Sequence, residues 1–348
     1  MNYSTAGYKF NLEQFFPLDI YDQITEIRVH SPGVILEAAE SRARRHSLTE
    51  DGKLVVLAAD HPARMVTGYG GDPIAMGDRW QYLGRVLRVI TSPGVDGVMG
   101  TTDIIEDLLI VNWLVKEAGG EGFLDNRLLL GCMNRTGLAG SAWELDDKIS
   151  SFTADSMAGL RIDGAKIMVR VCLDEPASND TLEYCAQAIT DCNALGIPVF
   201  LEPLPVAGKD AKYAVKRTPE DLVKIIGVAS ALGDSSRNLW LKIPYCDNYD
   251  RVARATTLPC LMLGGESKGD PTGVFEQFAA GMQAGKTIRG ALVGRNVTFP
   301  GDDDPLAVAL AVNGIVHDDL SVEEAVGNVI AARDSNLFAL TQWLGFEE

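Results

Sequence analysis

From Lys53 onward the sequence alternates between short apolar runs and longer amphipathic ones. Period and length predict strands at about 54–59, 95–99, 128–133, 165–172, 198–202, 238–244, 260–263 and 290–293. Between and after them the spacing predicts helices at about 78–90, 103–118, 154–160, 180–195, 219–232, 249–255, 274–284 and 305–316. Parallel neighbours need a crossover connection of a dozen or more residues, and this rhythm supplies one each time. The pattern therefore predicts an α/β fold. Its most economical closure is a (β/α)8 TIM barrel. A doubly wound open sheet is the competing architecture, but no G-x-G-x-x-G follows the first strand.

Residues 1–50 read as an N-terminal extension. Helical spacing over 33–45 ends in the basic run Arg42-Ala43-Arg44-Arg45, which suits a helix C-terminus. Residues 321–346 read as two further helices, the first opened by the capping box Ser321-Val322-Glu323-Glu324. The domain reading is an extension over 1–50 and one barrel with C-terminal helices over 51–348.

Composition narrows the partners. A formal net charge of −17 argues against nucleic acid or an anionic membrane surface, and means that an anionic substrate needs a local positive site. No apolar run approaches the roughly 18 residues that span a bilayer. The six cysteines form no C-x-x-C and the N-terminus does not resemble a signal, so a reduced, cytoplasmic protein is expected. The four histidines include no H-x-x-x-H pair, so a histidine-built zinc site is not expected; no cofactor is expected. A homo-oligomer is the expected assembly.

In barrels of this kind the reactive groups sit at the C-terminal ends of the strands. The sixth strand, Asn238-Leu239-Trp240-Leu241-Lys242-Ile243-Pro244, carries a lysine on the same face as Trp240. Lysine is almost never buried without a partner. Taken out of water, an amine favours its neutral form, a nucleophile that condenses with carbonyls into Schiff bases. Lys242 is thus the candidate nucleophile. The alternative is a side chain whose stem is buried and whose amine reaches water or a carboxylate. The fourth strand carries Lys166, Met168 and Arg170 on one face, and Lys166 is expected to approach Lys242, a neighbouring cation that favours a free amine. Its alternative role is a floor position paired with a carboxylate.

Glu202 closes the fifth strand, where a carboxyl can shuttle protons to and from the lysine, or simply pair with it. Asp60 shares a face with Leu54, Val56 and Ala58 and would orient a substrate hydroxyl or pair with a lysine; a turn aspartate is the plain alternative. The seventh and eighth strands end in Gly264-Gly265 and Gly294-Arg295. Loops at those places often bind phosphate, with glycine backbone N–H groups and an arginine fork as donors. Together these parts describe a metal-free class I aldolase. A lysine iminium serves as electron sink for a C–C bond, and remote phosphate binding orients the reacting carbons.

Over about 53–300 the sequence resembles the class I barrel aldolases related to tagatose-1,6-bisphosphate, sulfofructose-phosphate and deoxyribose-phosphate aldolases. The resemblance is carried by Ala58-Ala59-Asp60, Gly164-Ala165-Lys166, Phe200-Leu201-Glu202-Pro203, Leu241-Lys242-Ile243-Pro244, Gly264-Gly265 and Val293-Gly294-Arg295-Asn296. It implies Lys242 as the Schiff-base lysine, Glu202 as proton shuttle, Asp60 and Lys166 as active-site partners, and the two glycine loops as the phosphate site. The sequence departs from the tagatose enzymes at Asp60-His61-Pro62, at Arg170 and in the long loop after Asn134. It looks most like a bacterial branch associated with inositol breakdown. That implies 2-deoxy-5-keto-gluconate 6-phosphate as substrate, split to dihydroxyacetone phosphate and malonate semialdehyde, with Arg170 or Arg135 meeting the carboxylate. Two other readings stand beside this one: a phosphate-binding barrel without lyase activity, acting as sensor or scaffold, and a metal-dependent aldolase or isomerase.

Overall fold

The computed structural model describes residues 3–209 and 212–346. Its strands are β1 Leu54–Ala59, β2 Gly97–Gly100, β3 Leu128–Cys132, β4 Gly164–Val171, β5 Val199–Lys209, β6 Lys212–Val215, β7 Leu239–Pro244, β8 Cys260–Leu263 and β9 Ile288–Val293. The order β4-β3-β2-β1-β9-β8-β7-β5, closed by a β4–β5 pairing, makes a ring of eight parallel strands. This is a TIM barrel. Strand β6 stands outside the ring and pairs antiparallel with the end of β5.

Period-two alternation builds the two layers. Leu54, Val56 and Ala58 of β1 point into the ring with Leu128, Leu130, Phe200, Leu261 and Leu292. Val55, Leu57, Val98, Leu129, Leu201, Leu241 and Ile243 point outward, against the helices. Close approach is built in at Gly97, where a Cβ would lie 2.2 Å from the Leu128 carbonyl oxygen. The outer helices begin at side-chain caps, such as Asp78 before Arg79–Ile90 and Thr218 before Pro219–Ala229. The tail forms Val322–Ala332, opened by the expected capping box, and Ala339–Trp343.

Two local expectations change. The fifth strand does not stop at Glu202 but runs on through Pro203 and Pro205 into the β5–β6 hairpin. Proline signals the end of a central strand because it lacks a ladder donor. Pro203 and Pro205 stay in register with Val169 and Val171 of β4, but their missing donors fall on the β7 side, where pairing has ended at Leu201, so no ladder bond is lost. The basic run 42–45 also has a different job. The helix Val34–Ser41 ends before it. Arg42 reaches Asp163 at 3.0 Å and the Arg127 carbonyl at 2.9 Å, Arg44 reaches Asp163 at 2.7 Å, and Arg45 reaches Asp96 at 2.9 Å. Asp96 and Asp163 immediately precede β2 and β4, so the arginines fasten the extension beneath the barrel floor. All six cysteines are buried and unpaired. Among the described residues no helix is long and apolar enough to cross a membrane.

Candidate active site

The parity of β7 turns Trp240 and Lys242 into the ring while Leu239, Leu241 and Ile243 face the helices. Lys242 is 7% exposed, and its Nζ lies 3.0 Å from Glu202 Oε2. Glu202 points inward because it shares the face of Phe200 on β5. Lys166, 1% exposed on β4, donates to the same Oε2 at 2.8 Å. The register explains the meeting: Lys166 is level with Phe200, which is level with Trp240, so Lys166 rises from one layer below Glu202. From there Lys166 Nζ lies 3.5 Å from Asp60 Oδ2. The same Asp60 oxygen accepts from Arg135 Nη2 at 2.7 Å. A chain of alternating charge, Lys242–Glu202–Lys166–Asp60–Arg135, thus crosses the C-terminal mouth of the barrel.

These contacts set the protonation states. Burial pushes the Glu202 carboxyl up, but Lys166 and then Lys242 outweigh it and bring it down to about 2. Burial likewise pushes Asp60 up, and Lys166 and Arg135 hold it well below the usual carboxylate range. Both acids are therefore ionised at neutral pH. Lys242 was expected as an uncharged amine near Lys166, with pairing to Glu202 as the alternative; it sits in an ion pair with Glu202. Attack on a carbonyl requires it to give up a proton first, and Glu202 is the neighbouring acceptor.

The long loop after β3 is organised from below. The buried Arg64 donates to Asp147 at 2.6 Å, to the Gly137 carbonyl at 3.0 Å and to the Asn134 carbonyl at 2.8 Å. Arg170 lies at the rim, with Nε 3.4 Å from Glu144 and Nη1 donating at 3.3 Å to the Gly137 and Glu144 carbonyls. It does not join the lysine cluster.

The glycine endings of β8 and β9 lie side by side. Asn296 Nδ2 donates to the Gly264 carbonyl at 2.6 Å and binds the two loops together. Gly265 has a φ of +71°, and the nearest atom to a Cβ placed there is a guanidinium nitrogen of Arg217, at 3.7 Å. Arg295 stands beside it with only a distant carboxylate, Glu266 at 4.0 Å, and its Nε is buried without a hydrogen-bond partner among the described residues. Burial lowers its proton affinity, Glu266 opposes this, and Arg217 adds to it. Two guanidinium groups thus converge on the glycine loops.

Lys242, Glu202, Lys166 and Asp60 come together as expected, and Gly264, Gly265, Gly294 and Arg295 form a second group on the same face. Sequence reasoning passed over Arg217, which arrives on the hairpin, and gave His61 no role beyond marking a departure. His61 follows Asp60, and its ring abuts Gly294. A cavity of about 290 Å³ lies at the other end of the barrel, lined by Arg45, Asp51, Asp96, Arg127 and His317 among others, away from the lysines.

A family model described as Cgl0159-like matches residues 52–315. The chain belongs to the Cgl0159-like family. The crystal structure of Cgl0159 from Corynebacterium glutamicum is 33% identical, covers 87% of this chain and 98% of its own, and superposes with a TM-score of 0.79. A 2-amino-3,7-dideoxy-D-threo-hept-6-ulosonate synthase from Archaeoglobus fulgidus is 23% identical over 292 residues, 83% of this chain and 96% of that protein. An archaeal fructose-1,6-bisphosphate aldolase, solved with its catalytic lysine bound to a carbinolamine intermediate, has a TM-score of 0.53 at 20% identity, covering 81% of this chain and 99% of that one. At that identity the likeness is one of fold.

Proposed function

We propose that this Cgl0159-like protein is a class I aldolase, a carbon–carbon lyase in which Lys242 forms a Schiff base with a ketone. The observation that carries the reading is the meeting of two buried lysines on one buried carboxylate at the catalytic face of the barrel, 3.0 and 2.8 Å from Glu202 Oε2. Glu202 accepts the Lys242 proton, and the free amine attacks the carbonyl carbon. Glu202 then serves loss of water from the carbinolamine. The iminium draws the electron pair of the adjacent C–C bond toward nitrogen, so the chemistry needs no metal. Lys166 remains charged between Glu202 and Asp60 and keeps both carboxylates ionised.

The substrate we propose is a phosphorylated ketose or keto-sugar acid, with 2-deoxy-5-keto-gluconate 6-phosphate, split to dihydroxyacetone phosphate and malonate semialdehyde, as the specific candidate. Two arginine-bearing sectors support a substrate with an anion at each end. Arg295 and Arg217 stand over β8 and β9 with Gly264, Gly265 and Gly294, and suit a phosphate. Arg135 and Arg170 stand over β3 and β4, each beside an acid, Asp60 at 2.7 Å and Glu144 at 3.4 Å, and meet a substrate carboxylate by exchanging that partner. The strand order sets these two pairs four places apart around a ring of eight, on opposite sides of the mouth. The Archaeoglobus relative is named for a product with both a ketone and a carboxylate, which supports a keto acid here.

Borohydride trapping tests the proposal. Incubation with dihydroxyacetone phosphate and borohydride is expected to add the reduced ketone's mass to one peptide, at Lys242, and Lys242→Ala is expected to remove the adduct. Binding of the ketose phosphate with no adduct on the wild-type protein would instead favour a sensor or scaffold.

A further inference from the structure

Residue His61 is placed by β1 but does not share the inward parity of Asp60. Its ring lies across the mouth toward β9, where a Cβ on residue 294 would come within 2.4 Å of the His61 Cε1. Only glycine at 294 leaves that seat open. The side chain is 21% exposed. Its Nδ1 is fully buried and has no hydrogen-bond partner among the described residues, so Nε2 and the ring carbons carry the part that solvent reaches. Nδ1 stands 3.9 Å from Asp60 Oδ1. The other Asp60 oxygen is taken by Arg135 and Lys166, and no hydrogen bond to Oδ1 is formed among the described residues.

We propose that His61 is a second acid–base residue of this site, oriented through Nδ1 by Asp60 and carrying one proton between the substrate hydroxyl oxygen and the enamine carbon. The inference rests on the aldolase reading above. A movement of about 1 Å converts the 3.9 Å separation into a hydrogen bond, and such contacts commonly tighten only when substrate is bound. A carboxylate holding Nδ1–H fixes the tautomer in which Nε2 bears the lone pair. In the cleavage direction Nε2 takes the hydroxyl proton, the O–H electrons become the aldehyde π bond, and the C–C pair moves onto the iminium to give the enamine. The imidazolium then returns its proton to the enamine carbon, and the iminium is restored without any oxidant or reductant.

The surroundings suit the task. The charged groups that act on the ring are Asp60 beyond β1, Arg295 beyond β9, Lys242 on β7 and Glu202 on β5. Burial lowers the imidazole, Asp60 opposes this, and Arg295 and Lys242 add to it, leaving the ring at about 4 and neutral at pH 7. A phosphate paired with Arg295 cancels one of those two cations and strengthens the base once substrate is in place. Glu202 Oε2 is already engaged by both lysines, which ties that carboxylate to the amine rather than to a substrate hydroxyl.

Dihydroxyacetone phosphate alone tests this. On the protein its C3 hydrogens exchange with D2O through the enamine, and NMR reads the rate above the protein-free background. Wild type, His61→Asn and His61→Gln are all expected to trap the ketone at Lys242 with borohydride. Both variants are expected to lose exchange by at least about 100-fold, together with the acid limb of its pH profile. Exchange within about threefold of wild type, with an unchanged profile and intact trapping in the two folded variants, would overturn the role of His61. Absence of trapping in the wild-type protein would overturn the aldolase reading and this inference with it. Unaltered thermal unfolding of either variant separates these outcomes from loss of fold.

Discussion

Replacing Lys166 with methionine removes the charge that holds the site together while keeping most of the volume. Lys166 is 1% exposed and serves two carboxylates, Glu202 at 2.8 Å and Asp60 at 3.5 Å. Glu202 is brought from its ordinary 4.5 to about 2 against the upward push of burial. A difference of about 2.5 units corresponds to roughly 3 kcal/mol at 1.36 kcal/mol per unit. Lys166 makes the larger of the two downward contributions. Without it, Lys242 alone opposes burial, and the depression is largely lost. The expected destabilisation at pH 7 is about 3 kcal/mol, in keeping with the cost of breaking a buried ion pair. The sign with pH follows from a depressed carboxyl. Its contribution is fully present above about 4.5 and is lost as pH falls toward 2. The gap between wild type and Lys166→Met should therefore narrow below pH 4.5. Urea unfolding at pH 7, 5 and 3 measures it. A variant within about 0.5 kcal/mol of wild type at pH 7, or a gap that stays constant down to pH 3, would refute this account of Lys166.

Arg295→Met and Arg217→Met are each expected to raise the dihydroxyacetone phosphate concentration giving half-maximal trapping by about tenfold or more, the loss of one charge-assisted contact; the saturating yield at Lys242 should persist. At the barrel floor His317 bridges Asp51 at 2.8 Å and Asp96 at 3.1 Å. The Asp96 hydrogen bond raises its proton affinity, burial opposes, and Asp51 adds. Its contribution is fully present below the unfolded histidine value and is lost as pH rises through the folded one. His317→Asn should accordingly cost about 1–2 kcal/mol at pH 6 and clearly less at pH 9, as read from urea midpoints.

Much of the site was legible in one dimension because a strand's period of two assigns each side chain to a face. Leu239, Leu241 and Ile243 had to point away from Trp240 and Lys242, and the fold agrees. Lys166 and Glu202 were legible for the same reason, since a charge on the inward face of an apolar strand has no solvent to turn to. The arginines were not. Arg42, Arg44 and Arg45 sit next to a helix end in sequence, but a long flexible side chain takes whichever carboxylate the fold brings near, here Asp163 and Asp96. Arg217 escaped notice because the fifth strand was expected to end at Glu202, whereas it runs on into a hairpin that brings the arginine to Gly265.

The order of residues by itself determined the rhythm of strands and helices, the ring they close, and which side chains face its interior, because local periodicity and connection length are properties of the chain alone. Only the tertiary structure decided the charges' partners. Glu202 accepts both lysines because the β4–β5–β7 register brings Lys166 and Lys242 to one oxygen. Asp60 lies between Lys166 and Arg135 because the loop after β3 folds over the mouth. The His61 ring finds its seat because β9 ends in a glycine beneath it. Separations of 3 Å between residues dozens of positions apart depend on register and loop packing, which no stretch of sequence contains.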